Sequence, residues 1–274
     1  MTVTRIVLAG ILAAMLVATK AAADPIPVVL ATDDNHFPYA FLDHGKPAGI
    51  YVRIVETITA RMPDYQVRIT ALPWKRALKL TETGEASGIF PPHYFPTERP
   101  YLDRYSDTIL SETPVLHCND DRLAARGIDR RKSAWPQGYA GITVVTAMGT
   151  HMGGDRLSRQ FADNGIKVIQ SGGIMENIRE LGHGRVDCLL NDRLTVRAAS
   201  AWLQKHDPTL PQASLAEAMA FPLEESHLAL SGPAAAREPF HQAFLAEFDE
   251  LLRKLRAEGK LDEIVEAYMR EMNS

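Results

Sequence analysis

Long basic runs are absent from this chain of 274 residues, in which 34 Asp and Glu outnumber 30 Lys and Arg. The formal net charge is −4 at pH 7. Proteins that bind nucleic acid or an anionic membrane surface usually carry a basic patch or a run of Lys and Arg. The charge pattern therefore argues against both kinds of partner, and we expect no binding of nucleic acid.

Catalytic motifs are also missing from the sequence. It contains no Gly-x-Ser-x-Gly nucleophile elbow, no phosphate-binding P-loop and no His-Glu-x-x-His zinc motif. Three of its histidines, His93, His117 and His151, are scattered and show no metal-ligand spacing. We therefore predict a protein that is not an enzyme and that uses no metal or cofactor.

Cysteine is scarce, with only Cys118 in "PVLHC" and Cys188 in "VDCLLND". Both end or lie within apolar, strand-like runs. Such residues are either independent buried thiols or the two ends of one disulfide in an oxidising compartment. The composition alone does not choose between these two readings.

Long hydrophobic runs are confined to the N-terminus. Positively charged Arg5 precedes an apolar run over residues 6–18, and Ala21-Ala22-Ala23 forms an Ala-x-Ala cleavage site before Asp24. This run is too short to span a bilayer comfortably and is typical of a cleaved secretory signal. We predict that residues 1–23 are a signal peptide and that the remaining chain is exported to the periplasm.

The rest of the chain alternates strand patterns with helix patterns. The apolar run "PVVLATDD" predicts a strand, and Ile50, Ile54, Val55, Ile58 and Met62 mark one face of a helix. The same alternation returns in "GITVVTAMGT", "IMENIRELGHG" and "RVDCLLND". Near the C-terminus, phenylalanines and leucines repeat at helical spacing before "AEGK", where a glycine predicts a helix end. The alternation predicts an α/β fold with mostly parallel sheets flanked by helices.

Five segments in order resemble a known family. They are "ATDDNHFPYAFLDHGKPAGIYVRIVETI", "GEASGIF" with "PTERPYLDRYSD", "VTAMGT", "GRVDCLLND" and "AEGKLDEIVEAYM". Together they resemble the extracellular solute-binding proteins of family 3, the periplasmic receptors of polar amino-acid ABC importers. The resemblance covers essentially residues 26–270, and "LPWKRAL" is similar to a subgroup whose ligands are poorly defined.

The resemblance implies a type II periplasmic binding fold with two α/β lobes that are joined by two hinge strands and close on a ligand. The first lobe would comprise residues 24–112 and 231–274, and the second lobe residues 113–230. The chain would cross between the lobes near Glu112–Leu116 and Ser226–Ser231. We expect a monomer that works with an inner-membrane ABC permease.

The resemblance also implies a ligand site. Arg99 stands where the family binds the ligand carboxylate, together with the turn at Gly149 and Thr150, and Asp192 stands where the family receives the ligand ammonium. Each position has a structural alternative. Arg99 would be a surface cation paired with Glu98 or Asp103, Asp192 would cap the following helix, and the Gly-Thr pair would form a tight turn.

Further ligand contacts are implied near the first strand and the second helix. Trp74 matches an aromatic residue that flanks the ligand side chain in the family, and the alternative is a core tryptophan. Asp33, His36 and Phe37 follow the first strand, where family members adjust selectivity. A lone histidine such as His36 is otherwise a structural or surface residue.

The chain departs from the family in the segment before Arg99. Small hydroxyl or glycine residues are usual there, but this chain has Pro91, Pro92 and Tyr94, and Ser87 replaces a usual acidic residue. Because proline has no amide hydrogen, donors are lost, while the bulky Tyr94 narrows the space for a ligand. The carboxylate half of the site is therefore better preserved than the ammonium half, and small carboxylates other than standard amino acids remain open.

Transport is the function that the resemblance favours, with a small carboxylate-bearing solute as ligand. The alternatives are an enzyme on the same scaffold, such as a periplasmic dehydratase, and a sensory protein that presents its ligand to a membrane receptor. The family also places the strand "TPVLHC" antiparallel beside "VDCLLND". This arrangement implies that Cys118 and Cys188 face each other and raises the expectation of a disulfide.

Overall fold

A computed structural model describes residues 24–147, 154–210, 215–236 and 239–273. The predicted signal peptide lies outside these residues. Within the described parts, no helix is long and apolar enough to cross a membrane. Residues 24–112 form ten elements: β1 Ile26–Asp33, β2 Asn35–His36, β3 Ala40–Asp43, β4 Lys46–Ala48, α1 Ile50–Thr59, β5 Tyr65–Leu72, α2 Trp74–Thr83, β6 Gly88–Ile89, β7 Leu102–Tyr105 and β8 Leu110–Glu112.

The alternation continues through the rest of the chain. The next elements are β9 Pro114–Asn119, α3 Asp120–Ala125, a 3-10 turn Gln137–Tyr139, β10 Thr143–Ala147, α4 Gly154–Asp163, β11 Lys167–Ser171, α5 Ile174–Gly182, β12 Cys188–Asp192, α6 Arg193–His206 and β13 Leu215–Ala220. The last elements are β14 Glu224–Ser226, β15 Ala229–Ser231, α7 Gly232–Ala235, α8 His241–Ala257 and α9 Lys260–Asn273.

Two five-stranded sheets share one arrangement. The first has the strand order β5-β1-β6-β15-β7, and the second has the order β11-β10-β12-β9-β13. In the first sheet only β15 runs against its neighbours, and in the second only β9 does. The predicted α/β fold with mostly parallel sheets is confirmed. The reversed strands β9 and β15 are the strands by which the chain enters the second and the first sheet from the other one. The chain therefore passes twice from one lobe to the other.

The helices bury the apolar faces that the sequence pattern predicted. Ile50, Ile54, Ile58 and Met62 are at most 1% exposed and belong to one core cluster on the first sheet. The same cluster contains Phe244, Phe248, Leu252 and Leu255 of α8, which lie one or two helical turns apart. Tertiary packing of these faces, rather than intrinsic helix propensity, supplies most of the stability of such helices.

Glycines end two of the helices, and the sequence predicted the one that follows α8. Gly84 follows α2 with a φ of 72°, and Gly259 separates α8 from α9 with the same φ. This left-handed conformation is readily adopted by glycine, because a residue without a Cβ atom has no steric conflict there. The turn at Gly259 allows α9 to fold back and pack its apolar face on the same core.

A two-stranded ladder connects the lobes. Strands β8 and β14 pair antiparallel, with Glu112 opposite Glu224 and Leu110 opposite Ser226. Pro114 already begins a strand of the second sheet, and Ala229 begins a strand of the first. The lobe boundaries at 112/113 and 230/231 stay a prediction. The chain nevertheless passes from one sheet to the other close to each of these two boundaries.

A disulfide joins Cys118 to Cys188 in the second lobe. The two residues stand directly opposite each other in the antiparallel ladder of β9 and β12, and their Cα atoms are 4.0 Å apart. Both are fully buried in the core cluster of that lobe. The pairing follows from the strand arrangement that the family resemblance implied.

Candidate functional site

The carboxyl ends of three strands bring the first group of predicted site residues to one edge of the first sheet. Strand β1 pairs in parallel with both β5 and β6, and Asp33 lies opposite Leu72 at the end of β5. Trp74 follows two residues later as the first residue of α2. The chain leaving β6 enters the segment that carries Arg99. This edge is where open α/β sheets bind small ligands.

Arg99 lies against two aromatic rings at this edge. Its guanidinium carbon is 5.7 Å from the centroid of the Trp74 ring and 5.6 Å from that of Phe95. These contacts fix the position of a half-exposed cation at a modest gain in stability. Its backbone N–H donates to the carbonyl oxygen of Phe95 at 2.9 Å, which closes the turn between them. The ring of Trp74 also packs on the core cluster that contains Ala77 and Ile89.

Arg99 forms no ion pair with any described carboxylate, so the alternative pairing with Glu98 or Asp103 is not made in this structure. Asp103 instead lies 3.9 Å from Arg104. Burial raises the pKa of Tyr101 and of Tyr105, and the charge of the nearby Arg99 opposes this shift. The guanidinium therefore keeps its hydrogen-bond donors available to a ligand, and its role in binding stays a prediction.

The segment before Arg99 is tied to the connecting ladder. The Nε2 atom of His93 lies 3.3 Å from a carboxylate oxygen of Glu224, and its Nδ1 atom is 3.3 Å from the hydroxyl of Ser226. Tyr94 is 62% exposed, and its ring centroid is 4.9 Å from that of Tyr105. Tyr94 is thus exposed beside the segment, and its predicted contact with a ligand stays a prediction. His93, which the sequence analysis left unassigned, anchors the segment.

Three predicted residues at the end of β1 and just after it lie near the place where the lobes meet. Asp33 accepts the N–H of Asn35 at 3.0 Å, and burial raises the pKa of its carboxyl against the opposing attraction of His36. The ring centroid of His36 is 5.2 Å from that of Tyr39. Phe37 packs against the core cluster of the second lobe. Asp33 and His36 therefore adjoin a contact between the lobes, and the ligand roles of all three residues stay predictions.

Asp192 is the N-cap of α6, which the sequence analysis gave as the alternative to a ligand contact. One carboxylate oxygen accepts the N–H of Thr195 at 3.0 Å and the hydroxyl of Tyr39 at 2.8 Å, and the other accepts the N–H of Thr113 at 2.9 Å. Burial first, and the nearby charge of Glu112 second, raise the pKa of the Asp192 carboxyl. Capping and ligand binding are compatible, so the role in receiving an ammonium stays a prediction.

Glu112 is a buried carboxylate that the sequence analysis placed at the hinge without assigning it any chemistry. One of its oxygens accepts the hydroxyl of Tyr51 at 2.6 Å and that of Ser226 at 2.8 Å. Burial and then the charge of Glu112 raise the pKa of both Tyr51 and Tyr39 well above the usual value, which keeps both phenols protonated as donors. A glutamate at the end of a strand gave no signal of these distant partners.

Gly149 and Thr150 lie outside the described residues, and their roles stay predictions. No group of three or more His, Cys, Asp or Glu able to hold a metal ion occurs among the residues that are described. A surface cavity of about 550 Å³ lies between α1, α8 and α9 and contains none of the predicted site residues.

Comparison with known proteins assigns the chain to a family. The sequence profile of the bacterial extracellular solute-binding proteins, family 3, matches residues 28–271. The chain belongs to this family. Members of the family are binding proteins, and the family description places them outside the cell. No curated protein sequence matches the chain at a significant level.

Solved structures match almost the whole chain. A histidine kinase sensor domain similar to periplasmic binding proteins has 16% identity and a TM-score of 0.67, over 89% of this chain and 96% of the other. An ancestral arginine-binding protein bound to arginine has 18% identity and a TM-score of 0.66, over 88% and 97%. An ancestral amino acid-binding protein, described as a precursor of cyclohexadienyl dehydratase, has 14% identity and a TM-score of 0.65, over 89% and 95%.

These likenesses show the fold and not the ligand, because one fold hosts many functions. The predicted two-lobed, type II periplasmic binding fold is confirmed. The geometry above therefore belongs to a solute-binding protein whose two lobes meet beside Asp33, His36 and Asp192.

Proposed function

We propose that this solute-binding protein serves an ABC importer and captures a small carboxylate-bearing solute in the cleft between its lobes. The family and the fold support a substrate-binding role. The predicted signal peptide supports export to the periplasm, where the protein would act as a monomer and deliver its ligand to an inner-membrane permease.

The observation that carries the proposal is the state of Arg99. Its guanidinium is held against two rings at the ligand-binding edge of the sheet and is paired with no described carboxylate. A guanidinium presents a planar fork of donors that matches a carboxylate with two parallel hydrogen bonds. A closing cleft would remove water from this pair and strengthen it.

The segment next to Arg99 restricts what else the ligand can contact. Pro91 and Pro92 are buried and offer no amide hydrogen, so two possible backbone donors are lost at these positions. Tyr94 points to the surface, where it contacts Tyr105. The carboxylate is therefore the ligand group that the described first-lobe residues are best suited to recognise.

Two other functions are compatible with the same fold. The matched sensor domain illustrates a sensory use, and the matched dehydratase precursor illustrates how near binding proteins stand to enzymes. No feature of the described residues favours either over transport. A permease gene beside this one would favour transport, and product formation on incubation with candidate acids would favour an enzyme.

A ligand should be found by thermal unfolding of the purified mature protein with amino acids and small carboxylates. At one hundred times its dissociation constant, a ligand should stabilise the folded state by about 2.7 kcal/mol. A chain of this size should then unfold a few degrees higher. Carboxamides of the same compounds serve as the control, because they lack the charge that Arg99 recognises. Equal stabilisation by acid and amide would contradict recognition of a carboxylate.

Ligand binding should bring the lobes together. The ladder of β8 and β14 is the narrow connection about which a hinge motion would occur. Small-angle scattering with and without a saturating ligand should therefore show a smaller radius of gyration in the bound state. Identical scattering curves from a protein that demonstrably binds would show that the lobes do not close by such a motion.

A further inference from the structure

One histidine lies between the first-lobe segment 91–99 and the ladder that connects the lobes. The side chain of this residue, His93, is 23% exposed. Its backbone forms an isolated antiparallel bridge with Ser226, and the N–H of His227 donates to the carbonyl oxygen of Pro92 at 3.1 Å. These backbone contacts hold the start of the segment at any pH. The imidazole is the part of the junction that can change its charge.

Both ring nitrogens of His93 face acceptors. Nδ1 is 3.1 Å from the backbone carbonyl oxygen of Glu225 and 3.3 Å from the hydroxyl oxygen of Ser226. That hydroxyl donates its single hydrogen to Glu112 at 2.8 Å, so it can only accept from the imidazole. Nε2 is 3.3 Å from a carboxylate oxygen of Glu224. An ionised carboxylate and a carbonyl oxygen likewise only accept hydrogen bonds.

A neutral imidazole does not satisfy this arrangement, because only one of its two nitrogens carries a hydrogen. When that hydrogen is on Nδ1, the lone pair of Nε2 faces the negative oxygen of Glu224 and is repelled by it. The imidazolium form donates from both nitrogens and carries the charge opposite to that of the carboxylate. The contact between His93 and Glu224 therefore needs one added proton. Histidine is the side chain whose charge ordinarily changes between about pH 5 and pH 8.

The charged groups that face His93 are carboxylates on both strands of the ladder. Glu224 is the direct partner on β14, and its side chain is 14% exposed. The next residue, Glu225, offers its carbonyl oxygen while its carboxylate is exposed to solvent. On β8, the buried Glu112 is reached through the hydroxyl of Ser226. A positive charge on His93 is therefore complementary to both strands.

A short series of contacts leads from His93 to Arg99. The ring of His93 meets that of Phe95 edge to face, with centroids 6.1 Å apart. The ring of Phe95 lies 5.6 Å from the guanidinium carbon of Arg99, and its carbonyl oxygen accepts the N–H of Arg99 at 2.9 Å. If the imidazole leaves the ladder, Phe95 loses a neighbour and the turn that orients the guanidinium is held less firmly. Donors that are oriented in advance bind more tightly, because less freedom is lost on binding.

We propose that His93 is a positioning residue that makes ligand affinity depend on pH. This inference rests on the proposed function and adds regulation of the same site. At about pH 5.5 the protonated imidazole bonds to Glu224 and holds Phe95 in place beside Arg99. At about pH 8 the neutral imidazole loses that bond, and Arg99 is less well oriented for a carboxylate. Because coupling between two binding events is reciprocal, ligand binding should also take up protons near pH 7.

The test measures affinity by calorimetry at about pH 5.5 and pH 8 for the wild type, His93→Gln and His183→Gln. Probes are pyruvate, lactate and the common amino acids other than histidine and cysteine, because their charges change little over this range. His183 is the matched control. It is exposed and follows the C-terminal end of α5, whose N-terminal end lies beside Asn35 of the first lobe.

A probe that binds should bind the wild type and His183→Gln at least about five-fold more tightly at the lower pH. A glutamine amide donates to Glu224 without titrating, so His93→Gln should have the same affinity at both pH values. Calorimetry at pH 7 in two buffers of different ionisation enthalpy should show proton uptake on binding by the wild type and none by His93→Gln.

Equal wild-type affinity at both pH values would overturn the inference, and so would a pH dependence that His93→Gln retains. If Arg99→Ala nevertheless abolishes binding of the probe, the proposed function stands without this regulation. Binding of no probe at either pH would overturn both. The wild-type measurements need no variant, so they decide the question even if His93→Gln does not fold.

Discussion

Replacing both cysteines, as Cys118→Ser with Cys188→Ser, is expected to lower the free energy of unfolding by roughly 4 kcal/mol. The bridge closes a loop with a sequence separation of 70 residues. In the chain-entropy description, the loss comes from the greater freedom that the unfolded chain gains when this loop is opened. Denaturant titration should show a lower midpoint with a similar slope, and thermal unfolding should begin on the order of 10 °C earlier.

Reduced wild-type protein is the matched control for the serine variant. Because the described part of the chain contains no free cysteine, reductant should act through this bridge and should bring the wild type close to the variant. A serine variant as stable as the oxidised wild type would contradict the expected stabilisation. If the variant is less stable but reductant does not change the stability of the wild type, the lower stability of the variant comes from altered packing of the two buried side chains.

The bridge also bears on the candidate site. Strand β9 enters the second lobe directly after Thr113, whose N–H donates to Asp192, and β12 ends in Asp192 itself. The disulfide joins these two neighbouring strands five residues after Thr113 and four residues before Asp192. It therefore limits how far the entry strand can shift against the strand that carries Asp192, and it would do so during the proposed closure of the lobes.

Much of the fold could be predicted because its signals are local. The helical spacing of Ile50, Ile54 and Ile58 reflects a face that must be buried wherever the helix packs. Glycines at the ends of α2 and α8 reflect backbone conformations decided within one turn. The pairing of strands within each sheet could be expected only from the family resemblance, since hydrogen bonds between strands join positions that are far apart in the chain.

The polar contacts between the lobes could not be predicted from the sequence. Tyr39 and Tyr51 fit an apolar pattern as well as phenylalanine would, and their hydroxyl partners are distant in sequence: Asp192 lies 153 residues from Tyr39. Glu112 ends a short strand, where a glutamate is most often exposed to solvent. Only the folded chain shows that its carboxylate is buried beneath His36.

In the candidate site, too, local features could be predicted and contacts between distant residues could not. For Asp192 the sequence supported both a helix cap and a ligand contact, and the structure adds the cap without removing the other role. For Arg99 the sequence supported both a surface ion pair and a ligand clamp. The structure shows two rings beside Arg99 and no ion pair with a described carboxylate, and both observations depend on side chains from separate elements. The role of Arg99 as a ligand clamp stays a prediction.

Removing the guanidinium, as Arg99→Ala, is expected to weaken binding of a carboxylate ligand by roughly 2–5 kcal/mol, which is about thirty-fold or more. Closure of the cleft would leave the ligand carboxylate desolvated and without its counter-charge. Arg99→Lys should also weaken binding, because an ammonium cannot reproduce two parallel hydrogen bonds or lie flat against Trp74 and Phe95. Isothermal titration calorimetry with a ligand found by thermal unfolding measures both effects.

Arg104→Ala is the matched control, because it removes an equally charged but exposed side chain five residues further along the same lobe. It should change the affinity little, since an exposed charge that does not touch the ligand is screened by solvent and salt. All three variants should unfold at similar temperatures without ligand, because Arg99 contributes no ion pair to the described structure. If Arg99→Ala and Arg104→Ala weakened ligand binding equally, the affinity would depend on the overall electrostatic field of the lobe and not on a direct contact with Arg99. Unchanged affinity in both Arg99 variants would show that the carboxylate is bound elsewhere.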